Sequence, residues 1–223
     1  FLNFIAPIQI VYLGFLGTMG SKAYDYIISD KIIIPEKNKK YFSEKIIYLP
    51  TFQGSYQNQY LPVVKNKKIQ RKDFNIPNKK FVFGCFNTSY KISPELFNAW
   101  MNILKRVEKS VLVICEENSQ VINNLRIEAD KNKINNERLF FVKYLKKSDY
   151  LARYKAVDLF LDTTPYNGAS TVSDALSVGL PVITCMGKSF ASRQAASLLH
   201  SLNLDELITE SIFDYEKLAI ELA

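Results

Sequence analysis

Residues 158–184 read DLFLDTTPYNGASTVSDALSVGLPVIT, and the order of their features decides the fold. An apolar strand (Leu159, Phe160, Leu161) runs into a polar loop with Asn167 and Gly168. A helix then opens at Ser170 or Thr171, and a second apolar strand follows Pro181. That order sets a helix N-terminus at the carboxyl end of a strand, where backbone N–H groups and the helix dipole attract a phosphate. Asp174, one turn into the helix, can accept hydrogen bonds from vicinal hydroxyls such as those of a ribose. Phosphate and ribose together point to a nucleotide. The same letters carry a plainer reading, in which Thr171-x-x-Asp174 is a capping box and the acid serves only its own helix. Gly187-Lys188-Ser189 ends like a P-loop, but that motif needs glycine five positions before Gly187 and Val182 stands there, which excludes it.

The alternation extends outward from this stretch. Residues 81–86, 111–115, 139–142, 159–162 and 182–185 are apolar runs of strand length. Ser93-Pro94 supplies an N-cap and a proline at the first helical position. Leu96, Ala99, Trp100, Ile103, Leu104 and Val107 follow at helical spacing, which makes the single tryptophan a core residue. Further helices are expected through Leu125, from Ser148, from Thr171 and over residues 190–202. Strands apolar on both faces, alternating strictly with helices, imply a parallel sheet covered on two sides. The expectation is an α/β, Rossmann-like lobe over residues 79–223. Residues 1–62 carry only short strands, at 8–13, 26–29 and 46–49, with a Gly-rich turn at 14–20, and read as part of a second lobe. Residues 63–78, VVKNKKIQRKDFNIPN, are basic, interrupted by Pro77 and poor in core residues, as a connection between lobes would be. No internal repeat is visible.

Composition bounds the function. The 223 residues are 48% hydrophobic and 23% charged, which is globular. The net charge of +7 comes from lysines around 37–40, 65–72 and 143–147, spread over loops as a solvated surface would be, and no nucleic-acid-binding signature accompanies them. Cys85, Cys115 and Cys185 each lie in or at the end of an apolar run. An odd number of cysteines without paired spacing argues for a reducing, cytoplasmic compartment and against a disulfide frame or a zinc site. Residues 1–21 carry no charge, yet Asn3, Pro7, Gln9 and the glycines break the stretch, so a buried strand is expected there and not a membrane span. A start at Phe1 in mid-hydrophobic sequence is expected of a piece of a longer protein.

Six segments, taken in order, carry a resemblance: APIQIVYLGFLGTMG (6–20), DYIISD (25–30), SEKIIYLP (43–50), CFNTSYKISPELFNAWMNILKRV (85–107), DTTPYNGASTVSDAL (162–176) and SFASRQAAS (189–197). Together they resemble the catalytic region of the O-GlcNAc transferase and SPINDLY group of protein glycosyltransferases, over nearly the whole chain. The resemblance implies a GT-B architecture, with two facing Rossmann-like lobes, the nucleotide-sugar in the cleft, no metal ion and inversion at the anomeric carbon. The sequence has no Asp-x-Asp pair to hold a cation on the diphosphate. Lys91 matches the family's lysine at the diphosphate, in the role of a point charge that stabilises the leaving nucleotide.

By the same resemblance, Asp174 corresponds to the ribose-binding carboxylate. Ser170 and Thr171 correspond to the groups at the diphosphate, with Asn167 and Gly168 in the same loop. Lys147 and Tyr150 fall where the family has a uridine-contacting lysine and a base-stacking histidine. Tyrosine keeps an aromatic face but lacks the ring nitrogen, which leaves the base open. Leu13 and Gly14 match neighbours of the sugar on the opposite lobe, while Ala169 replaces a histidine and Leu16 a proline. His200 matches no family base and reads as an ordinary helix residue. The implied activity moves N-acetylglucosamine from UDP-GlcNAc to serine and threonine hydroxyls of proteins. It needs no cofactor beyond the donor, and the partners are a nucleotide-sugar and a protein or peptide acceptor, with no nucleic acid and no membrane. The family's acceptor-side histidines and helical repeats lie ahead of the matched region, so this stretch alone is expected to be inactive. Another donor on the same fold, GDP-fucose or UDP-glucose, and a non-catalytic nucleotide-sugar-binding or scaffolding module are the alternatives.

Overall fold

The computed structural model describes residues 5–52, 70–143 and 147–223, without the side chains of Lys147 and Ser148. Two all-parallel sheets organise them. The first runs β1 (Ile10–Val11), β2 (Tyr26–Ser29) and β3 (Lys45–Tyr48) in that spatial order. Ile27 is buried from β2, and with Val11, Ile33, Ile34 and Phe52 it forms a small core that also takes in Phe190 from the other sheet's side. The strand expected at 8–13 is shorter than its apolar letters suggest. Among the described residues β1 is bonded on one side only, Ile8, Ile10 and Leu13 are exposed, and Leu13 adopts a left-handed φ of 55° that turns the chain out of the strand.

The second sheet holds β4 (Phe81–Cys85), β5 (Ser110–Cys115), β6 (Leu139–Val142), β7 (Leu159–Leu161), β8 (Val182–Cys185) and β9 (Ile208–Thr209) in the order β6-β5-β4-β7-β8-β9. Every pairing is parallel. From β4 the chain builds outward in one direction and from β7 in the other, so a crevice opens between the carboxyl ends of β4 and β7, the topological switch point. All six residues of β5 are buried. Such strands read as continuous apolar runs because helices cover both faces.

The helices are α1 (Pro94–Arg106), α2 (Ser119–Lys131), α3 (Lys147–Ala152), α4 (Ser170–Ser177), α5 (Gln194–Ser201) and α6 (Ile212–Glu221). α1 starts as its sequence predicts: Ser93 Oγ accepts from the Leu96 N–H and Pro94 opens the helix. It buries Leu96, Trp100, Ile103 and Leu104 on one face. Trp100 Nε1 donates to the Tyr215 hydroxyl of α6 at 3.3 Å, which in turn donates to the Asp162 carbonyl at 2.9 Å. The helix expected over 190–202 begins only at Gln194. Residues 189–192 form a turn closed by the Ser189 and Ser192 hydroxyls, and Arg193 turns its side chain to the Ile32 and Gly187 carbonyls.

Arg193 thereby ties the two sheets together. Ser197 of α5 donates to the buried Asp30 carboxylate, which also accepts from the N–H groups of Ile32, Ile33 and Phe52. Phe52 meets Tyr12 and Phe190 edge-on, at 5.6 and 5.3 Å between centroids. The expected connection at 63–78 lies outside the described residues as far as 69. Its remainder sits on the second sheet, with Arg71 forked onto both Asp158 oxygens at 2.6 Å and Ile76 in the large core. Cys85, Cys115 and Cys185 are free and buried. Among the described residues no helix is long and apolar enough to cross a membrane.

Candidate functional site

A cavity of about 670 Å³ opens at the switch point. Leu13, Gly14 and Leu16 wall it from the first sheet's side. Phe86, Asn87 and Lys91 line it after β4, and Cys115 and Glu117 after β5. Ser170, Thr171 and Asp174 enter from α4, Tyr150 from α3 and Gln194 from α5.

The buried Asp162, one residue beyond β7, organises the centre. Its Oδ1 accepts from Gly168 N–H at 2.7 Å and Asn87 Nδ2 at 3.1 Å, and its Oδ2 from Thr184 Oγ1 at 2.7 Å. Burial pushes its carboxyl up to about 6, and these hydrogen bonds oppose the shift without cancelling it. Since both Asn87 amide hydrogens go to Asp162 and Thr163, its Oδ1 is left as an acceptor and takes the Thr171 hydroxyl. Thr171, which lines the cavity, thus has its hydroxyl proton committed to Asn87 and keeps the oxygen's lone pairs.

α4 has Ala169 at its N-cap position and no side-chain cap. The capping-box reading fails: Thr171 is the second helical residue and bonds Asn87, Asp174 is the fifth, and the first turn holds no acid. Ala169, Ser170 and Thr171 at the helix N-terminus line the cavity, and the first N–H groups of a helix have no intrahelical acceptor. Asp174, 1% exposed, lines the cavity one turn further on.

Lys91 Nζ donates to the Asn167 carbonyl at 3.0 Å and lies 4.0 Å over the Tyr166 ring. Burial pulls its pKa below the ordinary lysine value, against the pull of the Asp162 carboxylate. Asn167 and Gly168 do not line the cavity themselves. The Asn167 side chain turns inward to the Thr163 carbonyl at 2.7 Å, and Gly168 sits where a Cβ would press on Thr171 and Asn87. They hold the wall from behind.

Tyr150 lines the cavity and is also packed. Its hydroxyl shares a 2.9 Å hydrogen bond with that of Tyr154, and the Arg153 guanidinium lies 4.1 Å from the centroids of both the Tyr150 and Phe86 rings. Lys147 opens α3, and its side chain lies outside the described residues. His200 is away from the cavity and pairs with Asp205 at 2.7 Å. Among the described residues no group of three or more His, Cys, Asp or Glu could hold a metal ion.

Sequence reading missed Asn87, Asp162, Tyr166 and Gln194. Asp162 had a signal, as an acid at the carboxyl end of an apolar strand. Asn87 and Gln194 had none, since only the tertiary fold brings them to this cavity.

The family model described as glycosyl transferase family 41 matches residues 2–73 and 68–223. The chain is 36% identical over 222 residues to an Arabidopsis thaliana protein named Probable UDP-N-acetylglucosamine--peptide N-acetylglucosaminyltransferase SEC, covering 98% of this chain and 23% of that protein. A SPINDLY protein of the same description from Eustoma exaltatum subsp. russellianum is 30% identical over 226 residues, covering 98% and 24%. The chain thus spans about a quarter of the length of these curated relatives. A mutant O-GlcNAc transferase from Thermobaculum terrenum superimposes with a TM-score of 0.86 at 28% identity, over 97% of this chain and 41% of that one. Two parallel sheets facing one cleft, matched at this level, are the GT-B architecture.

Proposed function

The chain belongs to glycosyl transferase family 41, and from that premise we propose that the protein is a metal-independent, inverting glycosyltransferase moving N-acetylglucosamine from UDP to serine and threonine hydroxyls of protein acceptors. Its relatives are named as transferases of this donor to peptides. The observation that carries the reading is a single cavity, at the switch point of a parallel sheet, that gathers Lys91, the open N-terminus of α4, Tyr150 and Asp174. In this reading the α4 N–H groups and Lys91 take the diphosphate, Asp174 the ribose and Tyr150 the base, with Leu13 and Gly14 beside the sugar. Three reduced, buried cysteines fit a cytoplasmic protein.

Displacement at the anomeric carbon needs an acceptor oxygen in line, a proton acceptor for it and stabilisation of the departing diphosphate. This chain supplies the last. An ammonium has three donors, and Lys91 gives one to the Asn167 carbonyl, which fixes its position and leaves two for the phosphate oxygens. Because the lysine is held before charge develops on the leaving group, little reorganisation is required as the bond breaks.

The test uses the complete natural protein with radiolabelled UDP-N-acetylglucosamine and a serine-rich peptide, with and without chelator. Transfer is expected in both conditions. Lys91→Ala should lower turnover by roughly 10²–10³-fold while donor affinity changes far less, since the diphosphate gains charge mainly in the transition state. Unchanged turnover in Lys91→Ala would remove the lysine from the mechanism, and transfer abolished by chelator would refute metal independence.

A further inference from the structure

Gln194 is 1% exposed and lines the cavity, yet its Nε2 has no hydrogen-bond partner among the described residues. A buried donor left unsatisfied is costly and rare in a folded chain, and here a turn about the last, broad torsion of the side chain brings Nε2 to the cavity that Gln194 lines, where an entering oxygen satisfies it. Its position is fixed from both sides. Arg193, the preceding residue, is committed to the Ile32 and Gly187 carbonyls, and Ser197, one turn along α5, to Asp30. The residue at this end of the cavity is thus a neutral amide on a backbone held in place, with the neighbouring cation turned away.

The sheet order says which part of a ligand reaches it. Cys115 ends β5, Asn87 follows β4, the Asp162 loop follows β7 and Gln194 follows β8. These four strands are consecutive neighbours, so the cavity floor from β5 to β8 is about 14 Å across at ~4.8 Å per strand. Tyr150 belongs to the β5 end, because Arg153 stacks on its ring and reaches Cys115 Sγ at 3.9 Å. The open N-terminus of α4 and Lys91 occupy the middle. Gln194 comes at the β8 end, on the side of Arg193 and the first sheet, whose Leu13, Gly14 and Leu16 share its cavity wall.

We propose that Gln194 is a specificity-determining residue that donates a hydrogen bond from Nε2 to an oxygen of the transferred sugar, a ring hydroxyl or the acylamino carbonyl. This deepens the donor-site reading above and rests on it. With the base at the β5 end and the diphosphate over α4, the moiety beyond the diphosphate is the sugar. Its neutral oxygens suit an uncharged donor.

Calorimetry on the complete natural protein separates this role from the rest of the site. Wild type, Gln194→Met and Gln194→Glu are titrated with UDP and, separately, with UDP-N-acetylglucosamine. Methionine keeps length and volume without the amide, and glutamate keeps the planar end without the N–H donors. Both variants should bind UDP as wild type does and bind UDP-N-acetylglucosamine about 10-fold more weakly. Equal loss for both ligands, or no loss for either, would overturn the role of Gln194 while leaving the donor site standing. A wild-type protein that binds neither ligand would sink the donor-site reading and this proposal with it. Should both variants unfold, the side-chain amide resonance of Gln194 in selectively labelled wild type decides: it should move more with UDP-N-acetylglucosamine than with UDP, and identical spectra would overturn the proposal.

Discussion

Asp162 combines complete burial with a carboxyl pushed up to about 6 from an ordinary 3.8. A carboxyl whose folded-state pKa is raised contributes stability that is fully present below its unfolded value, near pH 4, and is lost as pH rises through about 6. A rise of that size corresponds to roughly 3 kcal/mol. Urea unfolding of the wild type should therefore lose up to about 3 kcal/mol from this group between pH 4 and pH 7, and Asp162→Asn should lack that slope. Asparagine can keep the bonds from Asn87 and Gly168 at its oxygen and turn its amide to Thr184, whose hydroxyl need only rotate. Parallel stability profiles for the two proteins would show that the carboxylate is better compensated than its burial implies. The neighbouring Lys91 was legible only through family resemblance, because a lysine after a strand is by itself a surface residue. Its bond to the Asn167 carbonyl and its place over Tyr166 join residues 76 and 75 positions apart, which no local pattern encodes.

At the scale of elements, α4 works as a short helix whose mouth is kept open by what lies behind it. Gly168 allows this: a Cβ there would come within 2.7 Å of Asn87 Oδ1 and closer still to Thr171, atoms that cannot yield without breaking the chain of bonds to Asp162. Gly168→Ala should cost about 1–3 kcal/mol of stability and weaken UDP binding, measured by denaturation and calorimetry on the same preparation. Full retention of both would mean that the loop has slack. The strands and helices of the larger sheet were readable because a doubly covered parallel sheet writes its burial into continuous apolar runs, as in β5, and because Ser93-Pro94 marks a helix start chemically. The misreadings have tertiary causes. The largely apolar letters at 8–13 suggest a six-residue strand, but the left-handed Leu13 turns the chain away and β1 pairs over two residues among those described. α5 began four residues late because Ser189, Ser192 and Arg193 spend their hydrogen bonds on a turn and on the first sheet. Thr171-x-x-Asp174 has the spelling of a capping box without its geometry.

For the molecule as a whole, the cleft exists only while the two sheets stay in place, and a small set of contacts holds them. Arg193 to the Ile32 carbonyl, Ser197 to Asp30 and the edge-on rings of Phe52 and Phe190 all run through the turn and helix after β8. Arg193→Ala removes a charged donor shared between both sheets and should cost about 1.5–3 kcal/mol, with a loss of UDP-N-acetylglucosamine affinity because the Leu13 wall loosens. Unchanged denaturation and unchanged affinity would mark this tie as idle. The parallel sheet has a further consequence, in the time domain. β4 is a central strand, and Val82 finds one of its partners, the Asp158 carboxylate, 76 residues later. At a synthesis rate of roughly 5–20 residues per second, one apolar flank of β4 waits on the ribosome for about 4–15 s before β7 exists to cover it. During those seconds the nascent chain carries an uncovered sticky edge, so the yield of folded protein in a cell depends on whatever shelters that edge as well as on final stability.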